Sequence, residues 1–133
     1  MHITFEQVLA NEEIHTYIEQ SDTVLLSMGY TEHSFPHVMR VAELTHKILT
    51  TLNYPKRDCE LACIAAYLHD MGNMINRHNH AQNGALLAFD LLKQMHAEPN
   101  DIALIMTAIG NHDEGTAFPV DPITAALILA DKS

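Results

Sequence analysis

Apolar positions recur at three- and four-residue spacing along the chain, the period of a helix with one buried face. Nowhere do apolar and polar residues alternate long enough to suggest a strand. Over residues 4–27 the stripe is Phe5, Val8, Leu9, Ile14, Ile18, Leu25 and Leu26, and the polar residues 20–22 predict a break into two helices. Gly29 and Tyr30 mark a turn. A further helix is predicted to open at Ser34-Phe-Pro36. Ser is a favoured N-cap, and Pro is tolerated in a first turn, where its missing N–H would be unpaired anyway. That helix carries Val38, Val41, Leu44, Ile48, Leu49 and Leu52 and stops at Asn53-Tyr-Pro55. The next is predicted over 58–71, with Gly72-Asn73 as its stop signal. A polar connection at 76–79 precedes a helix over 81–95. Asn100-Asp101 can cap one running to Ile109, closed by Gly110-Asn111. After a loop at 113–120, Asp121-Pro122 opens a last helix through Asp131. The expectation is an all-α bundle of six to seven helices.

Several residues on these stripes do not belong to an ordinary core. His37 shares a face with Val41, Leu44 and Ile48. His69 follows Leu61, Ala62 and Ala65, and Asp70 is its neighbour. His80 lines up with Gly84, Leu87 and Leu91; His112 continues Ile102, Ile105 and Ile109; Asp131 falls four after Leu127. A single buried imidazole is ordinary, but each unpaired buried polar group costs several kcal/mol, about 2–7. Four imidazoles and two carboxylates at core level are satisfied together by a divalent cation site. The competing reading is six separately hydrogen-bonded core groups. Imidazole and carboxylate without thiolate suit Fe, Mn, Zn or Ni.

Composition narrows the partners. The chain has 133 residues, 47% of them hydrophobic, which fits one globular domain over 1–133 and excludes general disorder. No apolar run approaches the ~20 residues of a membrane span, and residues 1–6 lack the basic start of a signal peptide, so a cytoplasmic location is expected. Seven Lys and Arg against seventeen Asp and Glu leave a net charge of −10, which disfavours nucleic-acid binding. Phosphate chemistry would then need bound cations or a few local basic groups. Cys59 and Cys63 lie four apart on one helix face, a poor geometry for a disulfide, and are expected as buried thiols. His2, His15, His46 and His96 are expected at the surface or its boundary, and His33 at a helix entry or, on the face of His37, as an outer-sphere or substrate contact.

The order His37, His69-Asp70, His80, His112, Asp131 resembles the HD-domain superfamily of metal-dependent phosphohydrolases, an all-helical fold. The stretches that carry the resemblance are His37-Val-Met-Arg-Val41, Ala66-Tyr-Leu-His-Asp-Met-Gly72, His80-Ala-Gln-Asn-Gly-Ala-Leu-Leu87, Ala108-Ile-Gly-Asn-His112 and Ile128-Leu-Ala-Asp131. It implies that His37, His69, Asp70 and Asp131 hold one metal and that His80 and His112 hold a second, with Asp70 bridging. The cofactor expected is therefore two divalent ions (Fe, Mn, Zn, Ni or Mg), with Asp70, His80 and His112 as the catalytic candidates. Motif spacing is most similar to the dinucleoside tetraphosphate hydrolase branch. The Lys common after the His-Asp-x-Gly stretch is Asn73 here. Asp113-Glu-Gly-Thr-Ala-Phe-Pro119 replaces the Gly-Tyr-Pro of the cyclic-dinucleotide phosphodiesterase branch, which disfavours that activity.

Two ions roughly 3.5–4 Å apart can lower the pKa of a water and neutralise phosphoryl charge. The expected function is hydrolysis of a nucleotide or related small phosphoester by a metal-activated hydroxide. Arg77 is expected either to clamp phosphate or to stand as a solvated loop charge, with Asn73 and Lys132 as further substrate contacts, and His78, Asp113 and Glu114 as candidate leaving-group acids. Two alternatives stay open: a regulatory module that binds metal and nucleotide without turnover, and a di-iron oxygenase on the same fold. The resemblance implies helical sequence past Asp131, so the natural chain is expected to continue beyond Ser133 or to be braced by a partner copy in a homodimer.

Overall fold

The computed structural model describes residues 2–133. Its elements are α1 (Phe5–Ala10), α2 (Glu12–Ser27), α3 (Ser34–Thr51), α4 (Lys56–Leu68), a short 3-10 helix (Met71–Met74), α5 (His80–Gln94), α6 (Pro99–Gly110) and α7 (Pro122–Lys132). Among the described residues there is no strand, so the architecture is the all-α bundle of seven helices. No helix is long and apolar enough to cross a membrane.

α4 is the axle of the bundle. Every residue over 61–69 is buried, because α1, α3, α6 and α7 pack around this helix. A helix covered on all sides needs no polar face, which is why its apolar pattern is continuous rather than striped. α5 pairs with α6 and closes over the 3-10 helix, which in turn rests on α2. Cys59 and Cys63 are buried free thiols, and burial pushes the Cys63 thiol up to about 12.

Four boundaries differ from the sequence reading. The first break lies at Asn11, not at residues 20–22. Thr4 and Gln7 form a reciprocal capping box on α1, and Asn11 Oδ1 accepts from Ile14 N–H at 3.0 Å to start α2. The polar residues at 20–22 stay helical because their partners are distant. Ser21 Oγ reaches Tyr17 O at 3.0 Å and Met71 O at 3.2 Å, while Asp22 Oδ1 accepts from Ser34 N–H at 2.6 Å. Second, that distant carboxylate caps α3, so His33 is the N-cap residue and Ser34 lies inside the helix. Third, α4 ends at Leu68 rather than at Gly72-Asn73. Among the described glycines only Gly29 has positive φ, 95°, so Gly72 does not end a helix by left-handed backbone. Its role is close approach: a Cβ there would fall on the carbonyl oxygen of His80 and lie 2.6 Å from Gly84 N. Fourth, Pro99 opens α6 with Glu98 as N-cap. Asp101 is buried in the first turn, where it accepts from Arg57 Nη2 at 2.5 Å; Arg57 Nη1 also donates to Ile3 O at 2.6 Å, tying the N-terminal segment to α4 and α6. The predicted cap of α7 is present, with Asp121 Oδ1 accepting from Thr124 N–H at 2.8 Å and Pro122 at the first turn.

Candidate metal centre

The histidines reach the centre from helix ends. His69 is the C-cap residue of α4, His112 follows the C-cap of α6, and His80 is the first residue of α5. Each lies beside a carbonyl three residues earlier. His69 Nδ1 meets Ala66 O at 2.5 Å, His80 Nδ1 meets Arg77 O at 3.0 Å, and His112 Nδ1 meets Ile109 O at 2.6 Å. A carbonyl can only accept, so in all three rings Nδ1 carries the proton that donates. When the rings are neutral, this leaves the Nε2 lone pairs free.

Those lone pairs converge with carboxylate oxygens into two groups that share Asp70. In the first, His37 Nε2 lies 3.1 Å from Asp70 Oδ2 and 3.1 Å from Asp131 Oδ1. His69 Nε2 lies 3.3 Å from Asp70 Oδ2 and 3.2 Å from Asp131 Oδ1. In the second, His80 Nε2 and His112 Nε2 face each other at 3.3 Å, with Asp70 Oδ1 at 3.5 and 3.7 Å. The two oxygens of Asp70 thus serve different groups. Donor atoms each about 2.1 Å from one ion stand roughly 3.0–3.4 Å apart, so the first set has the spacing of a divalent-cation site. In the second, two imidazole lone pairs pointed at each other are repulsive without a positive centre between them. The donor set fits two divalent ions of the imidazole–carboxylate class; it does not single out one metal.

Without metal, charge compensation shifts the protonation equilibria. Hydrogen bonds to Asp131 and Asp70 raise His37 to about 9. Full burial works against charge on His69, yet the Asp70 charge and the bonds to Asp131 and Asp70 raise it to about 10. Burial likewise opposes charge on the two carboxylates, and the imidazoles around them overcome it: His69 most for Asp70, His37 and His69 for Asp131. Both stay ionised well below the usual range. Burial holds His80 below the ordinary imidazole range.

Ions accept only neutral imidazoles, so loading the first group near pH 7.5 is expected to release about two protons. Calorimetry in buffers of differing ionisation enthalpy would measure them. In the metal-free protein the raised histidines add stability that is complete below about 6.5 and lost as pH rises through about 9 to 10. The depressed carboxylates add stability that is present above about 4 and lost on acidification. The metal-free protein should therefore lose stability from pH 6.5 upward, while metal binding tightens over that range.

Beside the first group opens a cavity of about 350 Å³, walled by the α2–α3 connection and lined also by His37, Asp70, Asp131 and Arg77. Among the described residues that line it, Arg77 is the only Lys or Arg. Its guanidinium lies 5.7 Å from the Tyr30 ring centroid, and Nη1 donates to Asn73 Oδ1 at 3.3 Å. Asn73 is fully buried and its Nδ2 donates to Asp70 O at 2.9 Å; it stands behind Arg77 rather than on the cavity wall. Lys132 is exposed and is not part of the lining; nor are His78, Asp113 and Glu114. His33 is part of it. Tyr30 and Glu32 also line the cavity; neither carries a functional signal in the sequence, because both lie in the turn before α3 and off every apolar stripe.

Fold and donor set define a class, and comparison with known proteins agrees. Residues 35–131 match the HD domain, and the chain belongs to that family. It is similar to an uncharacterised protein of Methanocaldococcus jannaschii, with 28% identity over 134 residues covering 84% of this chain and 51% of that protein. The chain thus spans about half the length of this relative. It is also similar to the crystal structure of a predicted HD superfamily hydrolase from an uncultured Thermotogales bacterium. There the TM-score is 0.71 at 25% identity, over 91% of this chain and 66% of the other.

Proposed function

We propose that this chain is a metal-dependent phosphohydrolase acting on a nucleotide or a related small phosphoester. The observation that carries the reading is the Asp70 carboxylate, which lines an open cavity and whose two oxygens face separate donor groups. Two divalent cations held there would neutralise phosphoryl charge and acidify a water. His37, His69 and Asp131 would hold one and His80 and His112 the other, with Asp70 fixing their separation. Arg77, pre-set by Tyr30 and Asn73, would grip phosphate oxygens with two N–H groups. Asn73 stands where the family resemblance implies a Lys, and its side chain accepts from the Arg77 guanidinium, so a positive group still serves the cavity. In a chain of net charge −10, the ions and Arg77 supply the attraction a phosphate needs.

Phosphate release from mono-, cyclic and bis-nucleoside phosphates, with Mn²⁺ or Fe²⁺ added, tests this. The expected result is turnover that a chelator abolishes and the ion restores. Nucleotide binding with no product over hours would replace it with the regulatory reading. Dioxygen uptake with an organic substrate and no phosphate release would replace it with the oxygenase.

A further inference from the structure

Of the four histidines at the centre, three have the ring proton fixed on Nδ1 by a backbone carbonyl. His37 cannot use that device. It lies in the first turns of α3, where the carbonyls point along the axis toward the next turn and are taken up by the helix ladder. Its Nδ1 instead faces two side chains. Glu32 Oε1 is 3.5 Å away and Arg40 Nη2 is 3.2 Å away, and Arg40 Nη2 donates to that same Glu32 oxygen at 2.8 Å. The two neighbours make opposite demands. A carboxylate accepts from Nδ1–H and leaves Nε2 free toward Asp70 and Asp131. A guanidinium only donates, so a bond from Arg40 to Nδ1 would place the ring proton on Nε2, the atom that must be bare to bind an ion.

We infer that Glu32 is a positioning residue for His37: its carboxylate is the acceptor that favours Nδ1–H and, by holding Arg40, keeps the guanidinium from donating to Nδ1 and shifting the ring proton to Nε2. The inference rests on the metal-centre reading above. Glu32 stands in the carbonyls' place at a longer 3.5 Å, from an exposed side chain on the cavity wall, and acts as much by holding Arg40 at 2.8 Å as by facing Nδ1 itself. The first ion group is therefore the one whose affinity depends on residues outside the core. The second group, whose rings are both held by backbone, does not share that dependence.

The test is titration of the full chain with Mn²⁺ alone, comparing wild type with Glu32→Ala, Arg40→Ala and the double variant. Both side chains are about half exposed or more, so folding is expected to be unaffected. Glu32→Ala is expected to weaken one of two sites by about 10–100-fold, the usual effect of losing a histidine's outer partner, and to leave the other unchanged. Arg40→Ala should bind as wild type or tighter. The double variant should regain much of the lost affinity, since the competing donor is gone; a merely structural role for Glu32 would not be rescued this way. With Zn²⁺ bound, the ¹⁵N signals of His37 should report the Nδ1–H tautomer in wild type. Two wild-type affinities in Glu32→Ala, or a double variant no tighter than the single, would overturn the inference alone. Failure of the wild-type chain to take up any ion would overturn the metal centre and this inference with it.

Discussion

Replacing Asp70 with Ala is expected to lower metal-stimulated phosphate release at least about 1,000-fold, equivalent to about 4 kcal/mol of transition-state stabilisation. The size follows from the double use of one carboxylate. Asp70 Oδ2 stands 3.1 and 3.3 Å from His37 and His69, and Oδ1 stands 3.5 and 3.7 Å from His80 and His112. Losing it leaves three donors in one group and two in the other, so elemental analysis of the purified variant should fall from two ions to one at most. Asp131→Ala makes the useful contrast. Its contacts are confined to His37 and His69, so the second group should keep its ion. Asp70→Ala retaining wild-type turnover under metal-replete conditions would end the proposed mechanism.

The largest effect on stability is expected from Gly72→Ala, at about 3 kcal/mol or more, the upper part of the range for overpacking a dense interior. A methyl group there meets backbone, not a side chain that could rotate away: the His80 carbonyl and Gly84 N. The 3-10 helix and the start of α5 would have to separate, and both carry site residues, Asp70 just before one and His80 at the head of the other. A fall in melting temperature on the order of 10 °C should accompany weakened binding at the His80–His112 group. Gly84→Ala is the control, since its Cβ would come no nearer than 3.2 Å to Gly72 N. There a helix-propensity gain of up to about 1 kcal/mol offsets the crowding. Equal melting curves for Gly72→Ala and wild type would refute the close-packing role.

The chain announced its site better than its boundaries. His37, His69, Asp70, His80, His112 and Asp131 stood out because groups that are costly to bury lay on apolar stripes, and the structure brings their ligating atoms together. Asp121-Pro122 was readable because its capping bond spans three residues. What misled was chemistry acting over distance. Ser21 and Asp22 looked like a helix break, yet one reaches Met71 and the other the start of α3. Gly72 carried the sign of a helix stop while serving a contact with α5. Glu32 and Arg40 gave no periodic signal, since a side chain that acts by steering another's proton has no reason to lie on a buried face. Two start signals were local all the same: Asn11 followed by Glu12 and Glu13, and Pro99 at the head of α6.

The centre lies where the C-terminal ends of α4 and α6 meet the last turn of α7. Each such end carries about half a negative charge from its aligned peptide groups, in addition to the two carboxylates. These three ends favour a bound cation, while the heads of α3 and α5, which carry His37 and His80, contribute the opposite polarity and leave the centre balanced rather than uniformly negative.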